Sequence, residues 1–216
     1  MYNIILVCTK HKECGKCNSD ELYKIIESIS PEIIFEELPP SNFHRFYQEN
    51  IPTSSLETNA IRKYLQNHTI EHIPVDTYEI SDIHYIEKEL DILNVFDNYS
   101  EYSFLKEKQS LMTNLYGFIY LNSKQSDELF DKIRIVEEKI IKYINDEKLF
   151  RAYQLFNEIN NKREDVIINN IYNYSKEHKY YQAILFCGAA HRKSIIKKIH
   201  EYKRNEKIAL NWLFYK

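Results

Sequence analysis

Short apolar runs alternate with amphipathic stretches at both ends of the chain, and a long helical pattern lies between them. Ile4 to Cys8 is an unbroken apolar run of strand length. Leu22, Ile25, Ile26 and Ile29 then fall at i, i+3, i+4 and i+7, which predicts an amphipathic helix. Asn18 with Glu21 reads as a capping box at its start, and Pro31 ends it. Ile33-Ile34-Phe35 is a second strand, closed by Glu36-Glu37-Leu38-Pro39-Pro40. Ala60, Ile61, Tyr64 and Leu65 mark a second helix, and Ile70 to Val75 a third strand that ends at Asp76. From about residue 80 to 178 strand signals stop. Phe130, Ile133, Ile140, Ile141 and Ile144 carry one helical pattern, and Val166, Ile167, Ile171 and Tyr174 another. Gly117 and the Asn122–Ser126 stretch are expected breaks. Alternation returns with a strand over Ala183–Cys187, a helix over Ser194–Tyr202 and a last run, Ile208–Tyr215. In that run Ile208, Leu210, Trp212 and Phe214 share one face, as in an edge strand.

The order is β-α-β-α-β, a helical insertion, then β-α-β. This predicts one α/β domain over residues 1–216: a mainly parallel central sheet flanked by helices, with a large helical insertion at about 80–178 acting as a lid or an interaction surface. In such sheets ligands bind outside the carboxyl ends of the strands.

Composition narrows the function classes. Hydrophobic residues make up 44% of 216, enough for a real core. The net charge is −3 with both signs mixed and no sustained basic run, which argues against a nucleic-acid partner. No apolar segment approaches the roughly 20 residues that span a bilayer, and Met1 leads almost directly into a short strand-like run rather than a leader, so no membrane partner and a cytoplasmic location are expected. The partner expected is then a small-molecule or peptide substrate. The cysteines are expected to be reduced unless they bind metal or do redox work.

Polar residues gather where strands end. His11 follows the first strand, Glu36 and Glu37 end the second, Asp76 the third, and His191 follows the fourth. A parallel sheet brings all of them to one rim. Two imidazoles with one or two carboxylates can bind a divalent transition metal (Mn, Co or Zn), or serve as a general base with an orienting acid. Strands that run into solvent also end in polar residues, so position alone leaves a plain structural reading open. In Gly188-Ala189-Ala190-His191 the glycine permits a sharp turn, and the small residues let a substrate approach the backbone. His191 is expected in the first turn of a helix, where free N–H groups favour anions.

These residues resemble the superfamily of TraB, the Tiki proteases, ChaN and the erythromycin esterases, whose paired G-x-x-H motifs flank a strand ending in a "V-E-L"-like element. Gly188-Ala189-Ala190-His191 matches the second motif. Cys8-Thr9-Lys10-His11 has cysteine where the first motif usually has glycine. Pro31-Glu32-Ile33-Ile34-Phe35-Glu36-Glu37-Leu38 is similar to the family's strand element and implies Glu37 as its acidic residue, with Glu36 as the fallback. Asn161-Lys162-Arg163-Glu164-Asp165 resembles the "R-D" helix start before the final motif and points to Arg163, its acidic partner displaced or replaced. The resemblance covers both ends of the chain. It implies a hydrolase-like site acting on a peptide or ester, metal-assisted or histidine-driven. His11 would be base or ligand, Glu37 ligand or orienting carboxylate, and His191 ligand or oxyanion stabiliser. Arg163 would hold a carboxylate of the substrate or of Glu37. Gly188, Asp76 and Glu36 would contact substrate.

Other readings compete. His11-x-x-Cys14-Gly15-Lys16-Cys17 holds a C-x-x-C near a helix start, where a thiolate of lowered pKa suits redox work. His11, Cys14 and Cys17 could instead bind zinc with a fourth ligand from Cys8 or Cys187. A rim without catalysis could bind a peptide, haem or a partner protein, and the cysteine at position 8 favours that class. His68 and His72 are four apart, but a helix-to-strand change separates them. His44, His84, His178 and His200 and the Glu137-Glu138 pair read as surface positions; Glu57, on the second helix, could contribute a further carboxylate, with an exposed helix position as the alternative. The edge strand could pair in a homodimer or lie under a helix; the sequence leaves both open.

Overall fold

The computed structural model describes residues 2–49, 51–77, 92, 94–205 and 208–216. Five strands form one sheet: β1 (Tyr2–Thr9), β2 (Ile33–Glu36), β3 (Glu71–Pro74), β4 (Gln182–Gly188) and β5 (Leu210–Phe214). Their order is β3-β2-β4-β1-β5 and every pairing is parallel. The sheet is thus wholly parallel, and β5 lies at an edge, as its one-faced pattern requires. β1 and β4 sit centrally and are covered on both faces, which is why Ile4, Leu6, Val7 and Cys8 on one, and Ala183 to Cys187 on the other, are all buried.

Connections from the two central strands run opposite ways. β1 leads across β4 to β2, whereas β4 leads back across β1 to β5. Right-handed crossovers then put the intervening helices on opposite faces, with a crevice at the carboxyl ends between β1 and β4. Helix α1 (Ser19–Ile29) packs on α3 (Leu56–Leu65), and α7 (Arg192–Asn205) packs on α6 (Glu147–Glu177). A short helix α2 (Pro40–Phe43) runs on in wider turns to Gln48. The described part of the insertion is helical: α4 (Ser100–Leu121), α5 (Lys124–Ile144) and α6. The expectations for residues 80–91, His84 among them, lie outside the described residues. Among the described residues no helix is long and apolar enough to cross a membrane.

Local signals explain the element ends. The Asn18 side chain accepts from Glu21 N–H at 2.9 Å and starts α1, while Ser30 closes it in the left-handed conformation. Gly117 breaks α4 with φ 57°. A side chain there would press on the backbone of Lys16, because the 14–17 turn packs against α4 at this point.

Two expectations are corrected. Arg163 lies in the middle of α6, not at a helix start. Asp146 caps that helix, and no glycine or proline interrupts it before His178. Cys14 and Cys17 precede the first turn of α1. They close a tight turn through Cys14 N–H to Cys17 O (2.8 Å) and Cys17 N–H to Cys14 O (3.0 Å).

Candidate functional site

Strand register assembles the rim. Thr9 pairs with Gly188 across β1 and β4, and Glu37 N–H donates to Phe186 O at 3.1 Å, extending the β2–β4 ladder by one residue. The loops that leave these three points carry His11, His191 and Glu37.

Each histidine is held by a carboxylate through Nδ1. His11 Nδ1 lies 3.3 Å from Glu57 Oε1, and His191 Nδ1 lies 2.8 Å from Glu164 Oε1. The Nε2 atoms are thereby left for the crevice. His191 Nε2 is 3.7 Å from Glu37 Oε1. A Cβ added to Gly188 would sit 3.5 Å from Glu37 Oε2, 3.5 Å from His191 Cδ2 and 3.8 Å from His11 Nε2. Both imidazoles and the carboxylate therefore surround one point above Gly188.

The Glu37 side chain is 6% exposed, and its carboxylate is fixed from two sides. Gly188 N–H donates to Oε2 at 2.7 Å, and Arg163 donates to Oε1 at 3.2 Å. Arg163 also grips the buried Asp76, through Nε at 3.1 Å and a terminal nitrogen at 2.6 Å, both to Oδ2. Asp76 is the acidic partner of Arg163, supplied from the end of β3 rather than from the same helix. Glu36 bonds elsewhere, to His72 Nε2 at 2.8 Å and the Tyr47 hydroxyl at 2.9 Å.

Two further carboxylates complete the site: Glu57, which the sequence offers as a further carboxylate or an exposed helix position, and Glu164, which it does not single out. Glu57 is buried. It accepts from the Thr9 hydroxyl at 2.5 Å and the Ser55 hydroxyl at 3.0 Å as well as facing His11. A glutamate in the first turn of a helix has an ordinary explanation in the helix dipole, so its sequence context does not decide between the two. Glu164 is buried beside Ser194 and His191. Its one signal is adjacency to Arg163.

The electrostatics follow from these contacts. The hydrogen bond to Glu57 pushes His11 up to about 9; burial opposes this, and the Glu57 and Glu37 charges add to it. Its ring is 69% exposed, so water screens part of the effect. Burial works against a charged His191, but the Glu37 carboxylate and the bond to Glu164 outweigh it and raise it above its usual value. Burial pushes Glu37 up, yet His191, His11, Arg163 and the Gly188 N–H prevail and hold it below the ordinary carboxylate range.

Two cavities meet here. The larger, about 660 Å³, runs from the rim between α5 and α6. The smaller, about 290 Å³, lies under the loops after β1 and β2 and before α3. His11, Glu37 and Arg163 line both.

The donors do not form a ready metal site. Among the described residues no group of three or more His, Cys, Asp or Glu side chains is arranged to hold an ion. The Glu37 oxygens face Arg163 and the Gly188 N–H, and Nδ1 of His191 faces Glu164. These donor atoms are thus already engaged within the protein, and no chemistry below is routed through a metal ion.

The C-x-x-C turn does not activate Cys17. Cys14 and Cys17 are free, and burial pushes Cys17 up to about 12, opposite to the lowered value a redox thiolate needs. Cys8 and Cys187 are neighbours across β1 and β4, but both lie buried in the sheet, and burial raises both thiols. His68 stacks on Tyr64 with ring centres 4.0 Å apart, while His72 belongs to the Glu36 network.

Comparison of the chain with protein-family models, with curated proteins and with solved structures gives no match.

Proposed function

We propose that the rim is a hydrolytic site for a peptide or ester, in which histidine activates water. The observation that carries this reading is the pair of carboxylate-held imidazoles whose Nε2 atoms are left for one crevice beside a fixed carboxylate. A carboxylate on Nδ1 selects the tautomer and ring orientation and supports charge on the ring, as general base catalysis needs. His11, more open to solvent, takes the proton of water. The resulting hydroxide bonds to the acyl carbon. His191, kept protonated by Glu37 and Glu164, donates to the developing oxyanion. Glu37 stays ionised and orients the water and His191. Arg163 is occupied by Asp76 and Glu37, so its role is positioning rather than contact with a substrate carboxylate. Collapse breaks the C–O or C–N bond, and the leaving atom receives the proton taken by His11.

The test is hydrolysis of an ester and peptide panel by the wild type, His11→Ala and His191→Ala, with circular dichroism as the folding control. Both variants are expected to fold and to lose about 100-fold or more in rate, the usual contribution of a general base or acid. Folded variants that retain wild-type turnover, or a wild type inert on the whole panel, sink the reading.

A further inference from the structure

The two cavities differ in size, shape and lining. The larger follows α6 from Glu164 to Tyr153, a stretch of about 16 Å at 1.5 Å per residue. Its α6 wall carries Asn157, Asn160 and Asn161, three carboxamides on one helix face. Its α5 wall carries Phe130 and Ile133. The two helices touch only sparsely, which leaves the space between them. At the far end the Tyr153 hydroxyl donates to Glu137 Oε2 at 3.1 Å, tying α6 to α5. The cavity is thus a groove with carboxamides along α6 and, on α5, Phe130 and Ile133 followed by the charged Arg134, Glu137 and Glu138. The smaller cavity has room for about ten water-sized groups.

Carboxamides both donate and accept, as peptide groups do. The Oδ1 of Asn160 accepts from Arg163 at 3.2 Å, which leaves its NH₂ to donate and links this wall to the catalytic rim. An extended chain advances about 3.3–3.6 Å per residue, so the groove measures about four or five residues. Its side chains can then alternate toward Phe130 and Ile133 while its backbone meets the amides.

Resting on the hydrolytic reading above, we infer that the rim parts a short peptide unequally. An extended segment of about four or five residues occupies the α5–α6 groove, read by Asn157, Asn160 and Asn161, and the remaining one or two residues occupy the smaller cavity. Asn157 and Asn161 are specificity-determining residues and take no part in the chemistry. The groove's length of about 16 Å sets the preferred length of the bound segment.

The test uses the whole protein and blocked peptides of about four, six, eight and twenty residues, with products read by mass spectrometry. Binding of the six-residue peptide is measured alongside by calorimetry, for the wild type and for Asn157→Ala/Asn161→Ala. The expected result is cleavage of the peptide of about six residues in preference to that of about twenty, one of its products having one or two residues. The double variant should raise KM and Kd about tenfold with kcat nearly unchanged, as loss of two hydrogen bonds predicts. Ser54→Trp, which fills the smaller cavity, should abolish release of a two-residue product. Cleavage of the twenty-residue peptide at scattered bonds, or an unchanged KM and Kd in the double variant, overturns the inference. Binding that weakens in the double variant without any cleavage keeps the groove assignment and sinks the hydrolytic reading instead. Absence of both binding and cleavage overturns both.

Discussion

Thr9 faces Gly188 across two adjacent parallel strands, and this one register brings the loops bearing His11 and His191 to the same crevice. The strands come from opposite ends of the chain, so the site exists only when β4 inserts between β1 and β2. The connections leaving β1 and β4 diverge, which opens the backbone at their carboxyl ends and leaves room for a ligand.

Gly188 tests that crevice without disturbing the fold. An added Cβ meets Glu37, His191 and His11 at 3.5–3.8 Å, which is ordinary van der Waals contact, and the backbone φ of −57° suits alanine. Gly188→Ala is expected to change stability by less than about 1 kcal/mol while placing a methyl where the reacting carbonyl would sit. Turnover should fall by at least about tenfold. Chemical denaturation beside an activity assay separates the two effects; loss of both in parallel would mean that the glycine serves the turn alone.

The pH profile reports His11. A base whose pKa is pushed up to about 9 is mostly protonated at neutral pH, so kcat/KM should rise through pH 7 with its midpoint near 9 and level off above it. Glu57→Gln removes the largest cause of that elevation and should move the limb toward the ordinary imidazole value of 6.5, with a lower plateau. The stability effect has a definite sign. A raised histidine pKa stabilises the fold fully below 6.5, and that contribution is lost as pH rises toward 9. Wild type and Glu57→Gln should therefore differ more in melting temperature at pH 6 than at pH 9, apart from the constant loss of the Thr9 and Ser55 contacts. An unmoved limb in the variant removes His11 as the base.

Arg163 links two buried carboxylates, Glu37 and Asp76. Arg163→Met takes away the guanidinium and leaves both in place, which should cost about 3–5 kcal/mol in denaturant unfolding at pH 7. The folded pKa of Glu37 is depressed, so its ionised form contributes stability above about 4.5, lost as pH falls below that value. The gap between wild type and variant should accordingly narrow at pH 4. A pH-independent gap would assign the loss to packing of the arginine stem instead.

Much of the fold was legible because central strands buried on both faces read as plain apolar runs, as Ile4–Cys8 and Ala183–Cys187 do. The rim followed from strand ends, which gave His11, Glu37, Asp76 and His191 together. Partners on helices were harder. Glu57 and Glu164 lie on α3 and α6, and a helix offers polar residues on every turn, so only the packing of α3 and α6 against the rim distinguishes these two. Arg163 was singled out, yet its setting in mid-helix and its pairing with Asp76 across 87 positions depend on the whole path of the insertion. The setting of the C-x-x-C was not legible on one local point: Asn18 caps α1, so both cysteines precede the helix, and the turn before it buries the Cys17 thiol.

Asn122 shows how the insertion holds the site from behind. β5 pairs with β1 from Tyr2 to Leu6, and among the described residues no strand lies beside the outer edge of β1 beyond that point. Asn122, just past α4, supplies the missing partner: its Oδ1 accepts from Cys8 N–H at 2.8 Å, and its Nδ2 donates to Cys8 O at 3.0 Å and Phe118 O at 2.9 Å. The side chain is buried, so water cannot replace these bonds. Asn122→Ala leaves both main-chain groups of Cys8 unsatisfied, and each costs about 1–3 kcal/mol, so a loss of about 2–6 kcal/mol is expected. Because Cys8 stands three residues before His11, turnover should fall along with stability. Amide hydrogen exchange gives the local readout: the Cys8 N–H should lose protection while those of Ile4 and Leu6, deeper in the strand, keep theirs. Unchanged protection at Cys8 would show that the end of β1 is held by its ladder with β4 alone.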